Sequence, residues 1–296
     1  MDELRQVYKL PLLLKISKLS KSTFYYCINH LDFDDKNQNI INKIETIYFD
    51  NEGRYGYRRI TLELLIQGII VNHKKVKRIM SKLGLYGLNQ EVKNKYNSYR
   101  GQVGRIAPNK LLVDYVTKSG KKDKKRDFSA SKPNEKWATD VSMFKIKYGK
   151  LYLSPIIDLY DSSIVAFNIS TAPVFYQVVD MLDKAFKNNS NLDNLIFHSD
   201  QGWQYQQRPY QERLKSKCII QSMSRKGNCL DNSPAENFFS IMKNEMFYGK
   251  EEDFNSLEDL KNKMVEYIDY YNNKRISLKR NGLTPIQYRQ QALLKL

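Results

Sequence analysis

Ile40, Ile41, Ile44 and Ile47 recur at helical spacing in NQNIINKIETIY, residues 37–48, and the DNEG that follows stops the helix. Apolar residues at 60, 64 and 65 predict a second helix from about Arg58 to Gln67, turned by Gly68. Asn72 is placed to cap a third helix, which brings Val76, Ile79, Met80 and Leu83 onto one face before Gly84 ends it. Two short helices joined by a glycine-containing turn have the outline of a helix-turn-helix, and the second shows Lys74, Lys75, Lys77 and Arg78 on its other face. Upstream, LLLKISKLSKSTFYYCINHLD carries a basic helical pattern broken near residues 20–23, the mark of a small helical pair.

From residue 134 the period changes. KWATDVSMFKIKYGK, LYLSPIIDLYD and SSIVAFNIS are rich in β-branched and aromatic residues and predict three consecutive strands. A helix at about 174–187, the strand NLIFHSD, a helix near 208–216, the strand CIIQSMS and a third helix in DNSPAENFFSIMKNEMF follow. Such an order predicts an α/β domain layered around a mixed sheet. Residues 89–130 are polar and hold too little apolar surface to fold alone, so they read as a basic flexible linker. The expected organisation is a helical DNA-binding region over 1–88, best defined over 54–88, the linker, a core over 131–250, and a helical extension with a basic tail over 251–296.

Charge changes the picture. The net charge is +17, and residues 1–130 hold 26 Lys and Arg against 13 Asp and Glu, whereas the remainder holds 23 against 19. A polyanion is the expected partner, nucleic acid before an anionic membrane surface. No apolar stretch reaches the ~18 residues of a membrane span, and MDELRQVYKLPLLLKISKLS is a poor signal peptide. The 3 cysteines share no C-x-x-C spacing and fit reduced thiols in a cytoplasm, and 3 scattered histidines exclude a zinc finger.

Three acids stand out. Asp140 lies inside the first predicted strand, where Asp is disfavoured. Asp200 ends the fourth, and Glu236 lies in the first turn of a helix that Ser233 can cap and Pro234 can begin. Clustered carboxylates are what hard divalent cations require for phosphodiester chemistry. Lys243 follows Glu236 by two helical turns and shares its face.

The stretches WATDVS, HSDQGWQY, KGNCLDNSPAENFFSIMKNE and YIDYYNNKRISLKRNGLTPIQY resemble the transposases of bacterial insertion sequences of the IS-three family, in particular the downstream-frame (OrfB) product, a relative of retroviral integrases. RYGYRRI and KVKRIMSKLGLYG match the helical segment that precedes the core there, so the resemblance spans nearly the whole chain. It implies an RNase H-like fold, a DDE site in which Asp140, Asp200 and Glu236 hold two Mg²⁺ or Mn²⁺ ions, and Lys243 positioning DNA. It further implies DNA cleavage and strand transfer on terminal repeats and target DNA, a dimer or higher assembly, and an upstream-frame OrfA partner. Expected DNA contacts are Arg58, Arg59, Lys74, Lys75, Lys77, Arg78, Lys274 and Arg275, besides Lys243. The rivals are a nuclease on the same fold without strand transfer and a decayed DNA-binding regulator.

Neighbouring motif residues have plainer expectations. Asp231 fits a cap or turn better than a metal ligand, and His198 packs behind the strand end or makes an orienting hydrogen bond. Tyr205 and Trp203 can stack on bases, with core packing expected for at least one, and Trp203 departs from the small residue common in the family. Gly202 is expected to let the chain turn away behind Asp200, and Asp158 and Asp161 to bracket a turn without functional role.

Overall fold

The computed structural model describes residues 3–29, 33–88, 104–117, 119–189 and 191–294. The chain divides into two compact units, Met1–Gly87 and Leu88–Leu296.

The first unit is helical: α1 (Leu10–Ser17), α2 (Lys21–Asn29), α3 (Phe33–Asp50), α4 (Tyr57–Ile66) and α5 (His73–Lys82). Asn72 caps α5 as its position predicts, its side chain accepting the Lys74 N–H at 2.8 Å. Ile44, Ile47, Ile60, Leu64, Val76, Ile79 and Met80 are all buried. Each such side chain contributes about 1.5–3 kcal/mol by leaving water. Leu83, expected on that apolar face, instead forms the carboxyl-terminal cap and is exposed. The α4–α5 turn passes through Gly68 at φ +80°, a conformation that favours glycine.

In the second unit, the segment expected to be a flexible linker is in part a β-hairpin. Strands β1 (Leu112–Val116) and β2 (Lys122–Arg126) pair antiparallel, from Leu112 opposite Arg126 to Val116 opposite Lys122. Residues 104–111 run along the core, where Ala107 N–H reaches Met223 Sδ and Lys110 N–H donates to Ser222 Oγ at 2.8 Å. Residues 89–103 of the expected linker lie outside the described residues.

The main sheet is mixed. It contains β3 (Lys136–Thr139), β4 (Ser142–Ile146), β5 (Gly149–Asp158), β6 (Ile164–Ser170), β7 (Ile196–Ser199) and β8 (Ile220–Met223). β6 takes one edge of β5, while β4 and β3 lie in tandem along the other; β7 pairs parallel to β3, and β8 parallel to β7. The first predicted strand is therefore two. Thr139 pairs with Ile156 and Ser142 with Leu153, one continuous register in which Asp140 and Val141 fall opposite Pro155 and Ser154. Proline has no N–H to donate, so the ladder lapses there. Asp140 consequently lies just beyond β3 rather than inside a strand.

Helices flank this sheet. α6 (Phe175–Asn188) and α7 (Arg208–Lys215) supply Val178, Met181, Leu182, Tyr210 and Leu214 to a core shared with Trp137, Ile156, Phe197 and Met223. α8 (Ser233–Met242) and α9 (Leu257–Asn273) join through Phe238 and Tyr271, whose rings meet edge-on at 5.1 Å. α10 (Pro285–Leu293) begins with a capping box between Thr284 and Gln287, and its Arg289 is tied to Asp158 and Asp161. Among the described residues, no helix is long and apolar enough to cross a membrane.

Candidate active site

Asp140 and Asp200 each follow the end of a strand, and β3 and β7 are neighbours. Lys136 pairs with Ile196 and Ala138 with His198, so the same register continued two residues brings Asp140 beside Asp200. Adjacent strands lie about 4.8 Å apart. Each carboxylate spends one oxygen locally: Asp140 Oδ1 accepts the Val141 N–H at 2.8 Å, and Asp200 Oδ1 accepts the Gly202 N–H at 2.9 Å.

Asp140, Asp200 and Lys243 line one pocket of about 400 Å³, with Gln177, Met143 and Trp203 among its other walls. Glu236, in the first turn of α8, is not part of that lining, but its charge acts on Asp140. Burial, then the Asp200 charge and the Glu236 charge, push the Asp140 carboxyl well above the usual range, against the Val141 N–H and the Lys243 ammonium. Burial also raises Asp200, opposed by the Gly202 N–H. Burial raises both aspartates, and of the charges acting on Asp140 the Lys243 ammonium opposes those of Asp200 and Glu236, an arrangement that favours a bound cation. Among the described residues, no group of three or more His, Cys, Asp or Glu side chains is gathered into a ready-made metal cage. The donor set is nonetheless all oxygen, which fits a hard divalent ion.

Local packing explains how the acids are presented. Gly202 has φ −55°, so it is not needed for an unusual turn. It is needed for space, since a Cβ there would stand 2.9 Å from Asp200 Oδ1 and 2.7 Å from Gln204 Nε2. Ser233 does not cap α8; it is the first helical residue, after a tight turn over Cys229–Asn232. Asn232 instead donates from Nδ2 to the Thr139 carbonyl at 3.2 Å, tethering the start of α8 to the residue before Asp140. Lys243 does not continue the α-helix of Glu236, because a π-helical turn begins there and runs to Phe247. Its ammonium lies 5.0 Å from the Phe144 ring centre, and burial lowers its pKa against the pull of Asp140.

The other motif residues divide as their burial dictates. Tyr205 is fully buried, edge-on to Tyr210 at 5.5 Å, whereas Trp203 is half-buried on the pocket wall. His198 is buried, with Nδ1 and Nε2 hydrogen-bonded to the Ser222 and Ser224 hydroxyls at 2.8 and 3.1 Å. Burial pushes its pKa down to about 4 against the pull of Asp231, so it is neutral near pH 7. Asp158 and Asp161 do more than bracket a turn: both are buried, and Arg289 from α10 is bound between them.

Asp231 has a role that its sequence neighbours do not reveal. Its buried carboxylate accepts from Arg126 Nε at 2.7 Å, Arg225 Nε at 2.8 Å and Asn109 Nδ2 at 3.1 Å. Burial opposes ionisation, but the Arg225 and Arg126 hydrogen bonds hold its pKa far below the usual carboxylate range. Two of these partners are 105 and 122 residues away, beyond any spacing rule.

The expected DNA contacts also divide. Lys74, Lys77 and Arg78 on α5 and Arg58 on α4 are exposed, while Lys75 is half-buried. Arg59 is half-buried, donates to the Arg54 carbonyl at 3.4 Å and lies over the Tyr55 ring. Lys274 is exposed, but Arg275 is not a surface cation: it is 4% exposed and bound to Glu245 at 2.7 Å. A guanidinium spent on a buried carboxylate is not available to a phosphate.

The comparisons agree with this architecture. The Integrase core domain family matches residues 130–229 and again, through a second such family, 236–293; the HTH-like domain family matches residues 34–92. The putative transposase InsK for insertion sequence element IS150 from Escherichia coli (strain K12) is 48% identical over 295 residues, covering 99% of this chain and 98% of that protein. Transposase InsF for insertion sequence IS3A, from the same organism, is 33% identical over 81% of this chain and 78% of its own length. The HTLV-2 integrase catalytic core domain superposes over 54% of this chain and 98% of that chain with a TM-score of 0.43 at 19% identity. On the strength of the full-length relatives, the two integrase-core matches and the carboxylate-bearing mixed sheet, this chain belongs to the insertion-sequence transposases of the IS-three family, in the wider class of polynucleotidyl transferases.

Proposed function

We propose that this chain cuts and joins DNA at the ends of an insertion sequence, as a DDE-type strand transferase using divalent cations held by Asp140, Asp200 and Glu236. The observation that carries the reading is the shared register position of Asp140 and Asp200, with Glu236 near enough to act on Asp140 by charge. The all-oxygen donors suit Mg²⁺ or Mn²⁺, and two ions match the reaction class. When bound, they would activate an attacking hydroxyl and stabilise the leaving oxygen.

The chain's own contribution is placement. The Val141 and Gly202 N–H groups fix one oxygen of each aspartate and leave the others for the cations. Lys243, held against Phe144, offers its positive charge to the phosphate being attacked. Water or a DNA 3′-hydroxyl is the nucleophile, and the freed 3′-hydroxyl attacks a second phosphodiester, so no covalent link to the protein is needed. Lys74, Lys77, Arg78, Arg58 and Lys274 bind the backbone of the terminal repeats and target, in the bacterial cytoplasm where that DNA lies. A dimer or higher assembly brings two ends together, with an upstream-frame OrfA partner or fusion assisting.

The test is joining of a pre-cut, labelled element end to target DNA with Mn²⁺ or Mg²⁺, comparing wild type with Glu236→Gln. Metal-dependent joined products that vanish in the variant support the reading. No joining here, together with cleavage of an uncut element end under the same conditions, indicates the nuclease; binding with neither joining nor cleavage indicates the decayed regulator or a missing partner. Joining that survives Glu236→Gln removes Glu236 from the site.

A further inference from the structure

We propose that the β1–β2 hairpin is a docking arm for the backbone of duplex DNA, rooted at the turn that leads to Glu236. The proposal takes its occupant, DNA, from the transposase reading and adds a binding element to it.

Residues 112–116 and 122–126 pair as a two-stranded ribbon outside the main sheet. Its second strand reads KDKKR, and Lys121, Lys122, Lys124 and Lys125 are all exposed. Their neutralisation is slight. Lys124 approaches Asp114 only at 3.9 Å, with both side chains largely in water, and Lys125 lies 6.0 Å from the Tyr115 ring centre. Among the described residues, Lys121 and Lys122 have no carboxylate within ion-pair reach. Such a strand has no apolar face to bury, and an isolated two-stranded hairpin is marginal in water.

What holds the ribbon is its base. Arg126, the last residue of β2, binds Asp231 and reaches Asn228 Oδ1 at 3.0 Å. Asn109 binds the same aspartate, and Leu111 is buried, its carbonyl accepting the Asp127 N–H at 2.8 Å. Asp231 is five residues before Glu236, and its neighbour Asn232 is bound to the strand that presents Asp140. The Arg126 and Asn109 contacts to Asp231 and Asn228 therefore hold a strand of lysines beside the chain leading to Glu236. Lysine presents a point charge that suits phosphate, and the B-DNA major groove admits a two-stranded ribbon.

The experiment measures binding of the full chain to a fluorescent duplex element end over a salt series, without divalent cation. The variant is Lys122→Ser/Lys124→Ser/Lys125→Ser. The control removes the same charge elsewhere in this unit, with Lys145→Ser/Lys147→Ser/Lys150→Ser, whose lysines are also exposed. Each lost phosphate contact lowers the slope of log affinity against log salt by about 0.9. The hairpin variant is expected to lose roughly 2–3 in slope and at least about tenfold in affinity at moderate salt, with the control changing much less. An unchanged slope in the hairpin variant, or an equal fall in both, overturns the proposal and leaves the ribbon a solvated surface. Since no divalent cation is present, this outcome is independent of whether joining is observed.

Discussion

Asp140 and Asp200 lie just past the ends of two adjacent parallel strands, each two residues beyond the paired Ala138 and His198. Among the described residues neither carboxylate is in a salt bridge; burial and the Asp200 charge raise Asp140, and burial raises Asp200. Mn²⁺ should therefore raise the melting temperature of the wild type. At a hundred times its Kd the gain is about 2.7 kcal/mol. Asp140→Asn should abolish that gain while leaving the metal-free protein at least as stable as wild type. A cation-induced shift of equal size in both proteins would place the ion elsewhere.

Gly202→Ala should separate activity from folding. The added Cβ would meet Asp200 Oδ1 at 2.9 Å, and an overpacked site of this kind costs about 1–3 kcal/mol. Displacing a reacting group by an ångström costs about a hundredfold in rate. The variant should melt cooperatively and join DNA about a hundred times more slowly, measured at saturating DNA. Wild-type joining would mean that the Asp200 carboxylate does not need its present placement.

Arg275→Ala tests the corrected role of that residue. Glu245 would be left buried without the Arg275 guanidinium, while the Tyr267 hydroxyl would still donate to it at 2.8 Å. Breaking such a pair costs about 3–5 kcal/mol. Urea unfolding should show a loss of that size, with the DNA affinity of the folded protein unchanged. A weakened affinity without lost stability would restore Arg275 as a DNA contact.

Asp158 makes stability depend on pH. Burial first, then the Asp161 charge, push its carboxyl up to about 6, although Arg289 opposes them. The unfolded chain loses this proton near 3.8, so between these values the folded state binds more protons and rising pH disfavours folding. A shift of that size is on the order of 3 kcal/mol. Against Asp158→Asn, the wild type should lose relative stability from about pH 4 to about 6 and then level off. A constant difference across the range would show that Asp158 titrates normally.

Much was legible in the chain. The cap at Asn72 and the spacing of Val76, Ile79 and Met80 define α5, because capping and helical period act within one or two turns. Asp140, Asp200, Glu236 and Lys243 stood out as candidate residues because their motifs are contiguous. The structure brings Asp140, Asp200 and Lys243 to one pocket, and Glu236 into electrostatic reach.

The misreadings share a cause. KWATDVSMFKI has unbroken strand character, and the gap at Asp140 comes from Pro155 on the partner strand. KDKKR lacks the apolar surface to fold alone, yet Asp231 holds it as a strand from 105 residues away. Arg275 sits in a run that reads as a basic tail, and Glu245, 30 residues back, takes it inside. Sequence alone determined the locally periodic elements, their caps and the identity of the candidate acids, since those depend on near neighbours. Tertiary structure decided where strands break and which charges face water, because the free energy of a buried charge or an unmade backbone hydrogen bond is set by partners that only folding brings near.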